Sequence, residues 1–65
     1  MMNFTLRSRI YAVFPTQADF SKVVGIRESR LSRIVRGRAT PSPEEVRRLC
    51  EVLQVAPEEL FPNEH

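Results

Sequence analysis

The sequence contains a single cysteine and a single histidine, and each scarcity excludes a class of site. One cysteine cannot form an internal disulfide, and Cys50 has no cysteine or histidine neighbour at a spacing that binds zinc. His65 ends the chain, where a frayed terminus would give it no fixed partner. We therefore expect no metal site and no cofactor, and this cysteine usage fits a reducing, cytoplasmic setting.

The sequence also lacks long apolar runs and the usual catalytic motifs. The opening stretch MMNFTLRSRIYAVF carries Arg7 and Arg9 where a signal peptide needs an unbroken apolar segment, and no later stretch approaches bilayer-spanning length. No catalytic motif is present, whether a carboxylate pair for acid–base catalysis, a nucleophile with a neighbouring base, or a glycine-rich phosphate loop. We expect a soluble protein that is not an enzyme, with a single small domain over residues 1–65.

Basic and acidic side chains are unevenly distributed, although the net charge is only +2. Residues 1–38 carry eight basic and two acidic side chains, a net charge of +6. Residues 39–65 carry two basic and six acidic side chains, a net charge of −4. This asymmetry predicts a polyanionic partner on the basic side of the molecule.

The spacing of apolar residues and the helix-end signals predict an all-α fold of five short helices. Leu6, Ile10 and Val13 would form the apolar face of a first helix over about residues 5–13, which Pro15 ends. A second helix would begin after a Thr16 cap and end at Gly25 in a left-handed turn. Its buried stripe would contain Phe20, Val23 and Val24.

The third predicted helix, over about residues 28–36, belongs to the stretch GIRESRLSRIVRG. Because each residue turns a helix by about 100°, arginines at every third position fan out and do not stack in a line. One face would pack through Leu31, Ile34 and Val35, and the other would present guanidinium groups. An ordinary solvated face is the alternative interpretation of such a run of charges.

Strong signals mark the start of the fourth helix. In Ser42-Pro43-Glu44-Glu45, the serine caps the helix, proline suits its first turn, and Glu45 completes a capping box. Cys50 lies on its apolar stripe, so we interpret it as a buried filler and not as a nucleophile. A short last helix would open at Pro57 and end before Pro62.

Two blocks, TQADFSKVVGIRESRLSRIVRG and PSPEEVRRLCEVLQVAPEELF, resemble the phage-repressor and Cro-like (Xre-type) helix-turn-helix family. The resemblance covers about residues 6–61. Thr16-Gln17, Gly25 and Gly37 match the family pattern. Two departures are Arg27, where the family has a serine or threonine cap, and Ser21, which fits in place of alanine if its hydroxyl bonds to the preceding turn.

The resemblance implies a compact bundle with the lambda-repressor-like architecture, a core over about residues 5–61 and a helix-turn-helix over about residues 17–36. It also implies a sequence-specific transcriptional regulator of double-stranded DNA, which we expect to be a repressor. In this family the helix that matches residues 28–36 enters the major groove. The start of the second helix and the loop after the third contact phosphates.

Individual roles follow as hypotheses from the reach of each side chain. Arg33 is the foremost candidate for base contact, because arginine bonds guanine through two acceptors. Glu28 would accept a hydrogen bond from the cytosine amino group. Its alternative role is to stabilise the helix dipole or to orient an arginine side chain. The base-contact set is Glu28, Ser29, Arg30 and Arg33. The phosphate-contact set is Gln17, Arg27, Arg36, Arg38 and Thr40, and we expect Arg7, Arg9 and Lys22 to remain solvated.

Family members commonly pair on palindromic operators, so we expect a homodimer that is weak without DNA, with half-sites about 34 Å apart. Candidate dimer contacts are Val52, Val55, Leu60 and Phe61, which alternatively close the core. The alternative function is an antitoxin-like module with the same fold, whose main task is to bind a partner protein.

Overall fold

A computed structural model describes residues 2–62 of the chain; Met1 and residues 63–65, including His65, lie outside the described residues. Within residues 2–62 the secondary structure consists of five α-helices. They are α1 (Phe4–Val13), α2 (Gln17–Val24), α3 (Glu28–Val35), α4 (Pro43–Leu53) and α5 (Pro57–Leu60). The all-α fold is confirmed, and the ends predicted for the first three helices differ from the observed ones by at most one residue.

One apolar core holds the five helices together, because every helix contributes at least one fully or nearly fully buried side chain. The ring of Phe14 also packs against that of Phe20, with centroids 5.1 Å apart. Cys50 is buried, as predicted for a core filler. The buried residues are Leu6, Ile10, Phe20, Val24, Ile26, Leu31, Ile34, Val35, Leu49, Cys50, Leu53, Leu60 and Phe61.

Two valines that were predicted to pack in the core are instead exposed. Val13 is 62% exposed because it lies in the last turn of α1, and the chain then turns Phe14 inward instead. Val23 is 60% exposed. It lies about 60° from Phe20 on one side while Val24 lies about 40° away on the other, and α2 buries the Val24 side.

The predicted helix caps are confirmed at the second and fourth helices. Thr16 Oγ1 accepts a hydrogen bond from the Asp19 amide at 3.1 Å. Ser42 and Glu45 form the full capping box of α4, with bonds of 3.2 Å and 2.8 Å. These bonds satisfy amide groups that have no partner within their own helix.

Gly25 ends α2 in the left-handed conformation, with φ 75°. Its carbonyl accepts a hydrogen bond of 3.3 Å from Arg48 Nη1 of α4, which ties the turn between α2 and α3 to the fourth helix. A Cβ atom here would be strained by the backbone angle and would lie 3.4 Å from that nitrogen. Glycine therefore sets the short turn that brings α3 against α2.

Asn3 joins three helices, a role that sequence reasoning missed. Its side-chain Oδ1 caps α1 by accepting from the Leu6 amide at 3.0 Å. Its Nδ2 donates to the Leu60 carbonyl in α5 at 2.7 Å, and its amide donates to the Val35 carbonyl in α3, also at 2.7 Å. The asparagine thus fixes the last turn of α3 against the beginning of α1 and the end of α5.

Leu60 and Phe61 close the core, with exposures of 1% and 8%. Closing the core is the alternative that the sequence analysis gave for these two residues, and each leaves only a small exposed area for a second copy. Val52 and Val55 are partly buried and pack against the same core.

We expect Asn3→Ala to lower the free energy of unfolding by about 2 kcal/mol, about half from the lost cap and half from the bond to Leu60. Urea denaturation measures this loss. Asn3→Ser keeps the capping oxygen but cannot reach Leu60, so it should lose about 1 kcal/mol. Equal losses for the two variants would contradict a role for the bond to Leu60.

Candidate nucleic-acid interface

The side of α3 that faces away from the core is polar. Leu31, Ile34 and Val35 are buried, while Ser29 and Arg33 are exposed on the opposite side. Arg36 follows directly as the exposed C-cap residue. We call these exposed residues, Ser29, Arg33 and Arg36, the outer face of α3.

The first turn of α3 lacks a side-chain cap, as the sequence predicted. Arg27 occupies the N-cap position and makes no capping hydrogen bond. Glu28 follows it, exposed, in the first turn, where its negative charge stabilises the positive end of the helix dipole. Both side chains therefore stand at the surface beside the outer face of α3.

The beginning of α2 supplies further polar groups. Gln17 is the first residue of this helix and is partly buried. The Thr16 hydroxyl donates to Asp19 Oδ2 at 2.8 Å while accepting from the Asp19 amide. The Ser21 hydroxyl donates to the Ala18 carbonyl at 2.8 Å, which confirms the bond to the preceding turn that was expected for this departure from the family pattern.

The loop after α3 is ordered by its own backbone. The Gly37 amide donates to the Ile34 carbonyl at 3.1 Å, and the Arg38 amide donates to the Arg33 carbonyl at 2.8 Å. Gly37 takes the left-handed conformation with φ 74°, which suits a residue without a side chain. Arg38 and Thr40 are both exposed on this loop.

Arg30 occupies a different environment from the other arginines of α3. Its Nε donates to Glu45 Oε2 at 3.1 Å, and its Nη2 donates to Glu45 Oε1 at 2.9 Å. The same Nη2 also donates to the Thr40 carbonyl at 3.0 Å. A planar guanidinium and a carboxylate joined by two parallel bonds form a geometrically specific pair. We call Arg30, Glu45 and the Thr40 carbonyl the Arg30 clamp.

The Arg30 clamp shifts the protonation equilibrium of its acid. Hydrogen bonds from Arg30, then from the Ser42 backbone, lower the pKa of Glu45 from 4.5 to about 2. The hydrogen bond that Arg30 donates to Glu45 in turn raises the pKa of Arg30 above its ordinary value. The side chains of Arg30 and Glu45 are 38% and 20% exposed, so solvent screens this pair only in part.

Ion pairs divide the basic residues of the described chain into two groups. Four arginines pair with glutamates: Arg9 with Glu59, Arg30 with Glu45, Arg47 with Glu44 and Glu51, and Arg48 with Glu44. Six basic side chains make no ion pair within residues 2–62: Arg7, Lys22, Arg27, Arg33, Arg36 and Arg38. Most of the second group lies on α3 or directly beside it, so positive charge collects there.

The structure therefore brings together most of the predicted contact residues. Exposed groups on or near α3 and its flanking segments are Arg27, Glu28, Ser29, Arg33, Arg36, Arg38 and Thr40. Arg30 is the exception, because α4 holds its guanidinium. Sequence reasoning identified Glu45 as a capping residue but not as the partner of Arg30, since the two are 15 residues apart and no local pattern joins them.

The described part of the chain lacks two other classes of feature. Residues 2–62 contain no group of three or more histidine, cysteine, aspartate or glutamate side chains placed to hold a metal ion. None of the helices in that range has the length and apolar character that crossing a bilayer requires.

Comparison with known proteins gives one family match. A family model described as helix-turn-helix matches residues 16–60, which include α2 to α5. Comparisons with curated proteins and with solved structures give no match. The matched range contains the Arg30 clamp and both loops that flank α3.

We expect Glu45→Gln to reduce the free energy of unfolding by about 1 kcal/mol at pH 7, because the clamp loses its charge-assisted bonds. A pKa lowered on folding stabilises the protein above the ordinary pKa of 4.5, and that contribution disappears as the pH falls towards 2. Urea titrations from pH 7 to pH 2 should therefore show the difference between wild type and variant shrinking below about pH 4.5.

Glu58→Gln provides the matched control, since Glu58 is exposed and makes no ion pair within residues 2–62. It removes one carboxylate without breaking the clamp, so the effect of Glu45→Gln is measured against it at each pH. A constant difference between wild type and Glu45→Gln across the whole pH range would contradict the predicted role of the clamp.

Proposed function

Because this chain belongs to the Cro/C1-type family of helix-turn-helix proteins, a family of DNA-binding regulators, we propose that it recognises a specific double-stranded DNA sequence through α3. The observation that carries this proposal is the grouping of its unpaired cations. Arg27, Arg33, Arg36 and Arg38 lie on or beside α3 without an ion pair in the described chain. Duplex DNA, with a negative charge on every phosphate, is the natural partner for such a surface.

The outer face of α3 would lie in the major groove, where base edges carry a distinct pattern of donors and acceptors. Arg33 projects from the middle of this face and is our foremost candidate for a bidentate contact with guanine. Ser29 and Glu28 precede it by one turn or slightly more and would contact neighbouring bases. Glu28 would accept from cytosine or orient an arginine side chain.

Arg30 takes a different role in this proposal. The Arg30 clamp holds its guanidinium against α4, so we assign it the task of fixing the angle of α3 instead of reading a base. Arg30 would therefore affect DNA binding indirectly, through the position of the neighbouring residues on α3. Base recognition requires side chains placed to within fractions of an ångström, and supporting hydrogen bonds such as those of the Arg30 clamp hold them there.

Phosphate contacts would fix the register of the protein on the duplex. Gln17 stands at the beginning of α2, where helix amide groups favour an anion. Arg27 stands before α3, and Arg36, Arg38 and Thr40 follow it. These five residues lie before and after the proposed base contacts Ser29 and Arg33, as expected if they contact the two backbone strands that border a major groove.

A single α3 reads only a few base pairs, so we propose that two copies bind one palindromic site as a homodimer. Their α3 helices would then lie about 34 Å apart, one turn of DNA. Val52 and Val55 remain the proposed contacts between the copies. By occupying its site, such a dimer would act as a repressor.

Selection of bound sequences from a random DNA pool tests the whole proposal, followed by a gel shift on the recovered site at several salt concentrations. We expect a palindromic sequence and an affinity that falls steeply as salt rises. Recovery of no common sequence, together with capture of a stoichiometric protein partner, would instead support an antitoxin-like binding module.

We expect Arg33→Ala and Arg38→Ala to weaken binding in different ways. Arg33→Ala should cost about 1–3 kcal/mol on the preferred site and relax the preference at one base position. Arg38→Ala should weaken binding to all sequences alike and reduce the salt slope by about one unit. Gel shifts on sites with single substitutions measure both effects. Equal, sequence-independent losses from the two variants would contradict these assignments.

Arg30→Gln and Glu45→Gln test the positioning role as a pair. If the clamp only orients α3, each variant should weaken binding without a loss of preference confined to one base position, and the double variant should be no weaker than the weaker single one. If Arg30 reads a base, Arg30→Gln alone should relax the preference at one position. Circular dichroism spectra would confirm that both variants remain helical.

A further inference from the structure

Helix α1 presents an aromatic and basic side to solvent that the function proposed above does not use. Phe4 is 64% exposed and Tyr11 is 47% exposed, although both are large apolar or amphipathic side chains. They are seven residues apart, two helical turns, so they lie on the same side of the helix together with Arg7. We call Phe4, Arg7 and Tyr11 the outer face of α1.

This face borders an open cleft of about 690 Å³ that it shares with α2 and α3. Thr16 and Gln17 line the cleft from the beginning of α2, and Glu28, Ser32 and Arg36 line it from α3. Several of these residues belong to the proposed phosphate and base contacts. The outer face of α1 is therefore continuous with the proposed DNA surface.

Arg7 is held differently from its neighbour Arg9. The Arg7 guanidinium carbon lies 5.6 Å from the centroid of the Tyr11 ring, a cation–π contact that leaves the guanidinium charge uncompensated. Arg7 makes no ion pair within residues 2–62, whereas Arg9 Nη2 lies 3.3 Å from Glu59 Oε1. The ring thus braces Arg7 in place without neutralising it.

We propose that Arg7, braced on Tyr11, contacts a phosphate of the same DNA duplex, and that the outer face of α1 extends the interface along one backbone strand. This inference rests on the function proposed above. Arg7 and Arg36 place positive charge on either side of the cleft, against the single carboxylate of Glu28. Phe4 and Tyr11 supply apolar rings that can pack against deoxyribose beside the phosphate.

The charge pattern favours DNA over a second copy of this chain as the occupant of the cleft. An identical copy would bring a second set of the same arginines to the cleft, which adds positive charge where none is compensated. A phosphate backbone instead offers one negative charge per nucleotide and so supplies the opposite charge that both Arg7 and Arg36 lack. Arg7, which the sequence analysis expected to remain solvated, would thus take part in DNA binding.

Arg7→Gln and Arg9→Gln form a matched pair, because each removes one positive charge from α1 and only Arg7 borders the cleft. Arg7→Gln should reduce the slope of log affinity against log salt by about 0.9. That slope change corresponds to an affinity about eightfold lower at 0.1 M salt. Arg9→Gln, which breaks an exposed ion pair, should change both quantities far less. Gel shifts on the selected site measure them.

Ethylation interference identifies the contacted phosphate directly. We expect the wild type to be sensitive to ethylation at one phosphate per half-site that Arg7→Gln tolerates and Arg9→Gln does not. Tyr11→Phe keeps the ring under the guanidinium and should retain the wild-type salt slope, whereas Tyr11→Ala removes the brace and should move the slope towards that of Arg7→Gln.

Two outcomes would overturn the inference while leaving the proposed function intact. One is an equal change of salt slope in Arg7→Gln and Arg9→Gln, which would show that Arg7 acts only through the overall charge of the protein and not through a phosphate contact. The other is a change in self-association, measured by sedimentation, with unaltered DNA affinity, which would assign the cleft to a second copy. Failure of the wild-type protein to bind any selected DNA would overturn the proposed function itself.

Discussion

Helix α3 is fixed at both ends by groups that are distant in sequence, and the presentation of its arginines depends on this constraint. The Arg30 clamp joins its first half to α4 through two hydrogen bonds and to the loop before α4 through a third, and Asn3 holds its last turn through the Val35 carbonyl. An isolated helix of eight residues would be unstable in water. Burial of Leu31, Ile34 and Val35 supplies most of the missing stability, and the two tethers set the orientation.

The distribution of glutamates decides which arginines remain available to a partner. On the side of α4 and α5, glutamates neutralise Arg9, Arg47 and Arg48. These exposed pairs add little stability, since solvent screens them. Their larger effect is to leave uncompensated positive charge mainly around α3 and on the outer face of α1. A modest net charge thereby produces a strongly directional electrostatic surface.

Local rules were enough to predict the helices, because several helix ends carry a cap or breaker that acts within four residues: Thr16, Gly25, Ser42 with Glu45, and Pro57. The same rules identified the exposed residues of the outer face of α3, which are Ser29, Arg33 and Arg36. They failed where the deciding contact spans the chain. Asn3 and Leu60 are 57 residues apart, and Arg30 finds Glu45 only after folding. The burial of Val13 and Val23 was predicted wrongly. The spacing of apolar residues shows which face of a helix is apolar, but not which part of that face the neighbouring elements cover.

Glu45 serves two helices with one carboxylate. Its Oε1 accepts from the Ser42 amide at 2.8 Å and from Arg30 Nη2 at 2.9 Å, so the capping box of α4 and the clamp on α3 share an atom. Fraying of the first turn of α4 would withdraw that atom from both partners at once. We therefore expect the tilt of α3 and the integrity of this turn to change together, so that the segment from α3 to α4 opens as one cooperative unit.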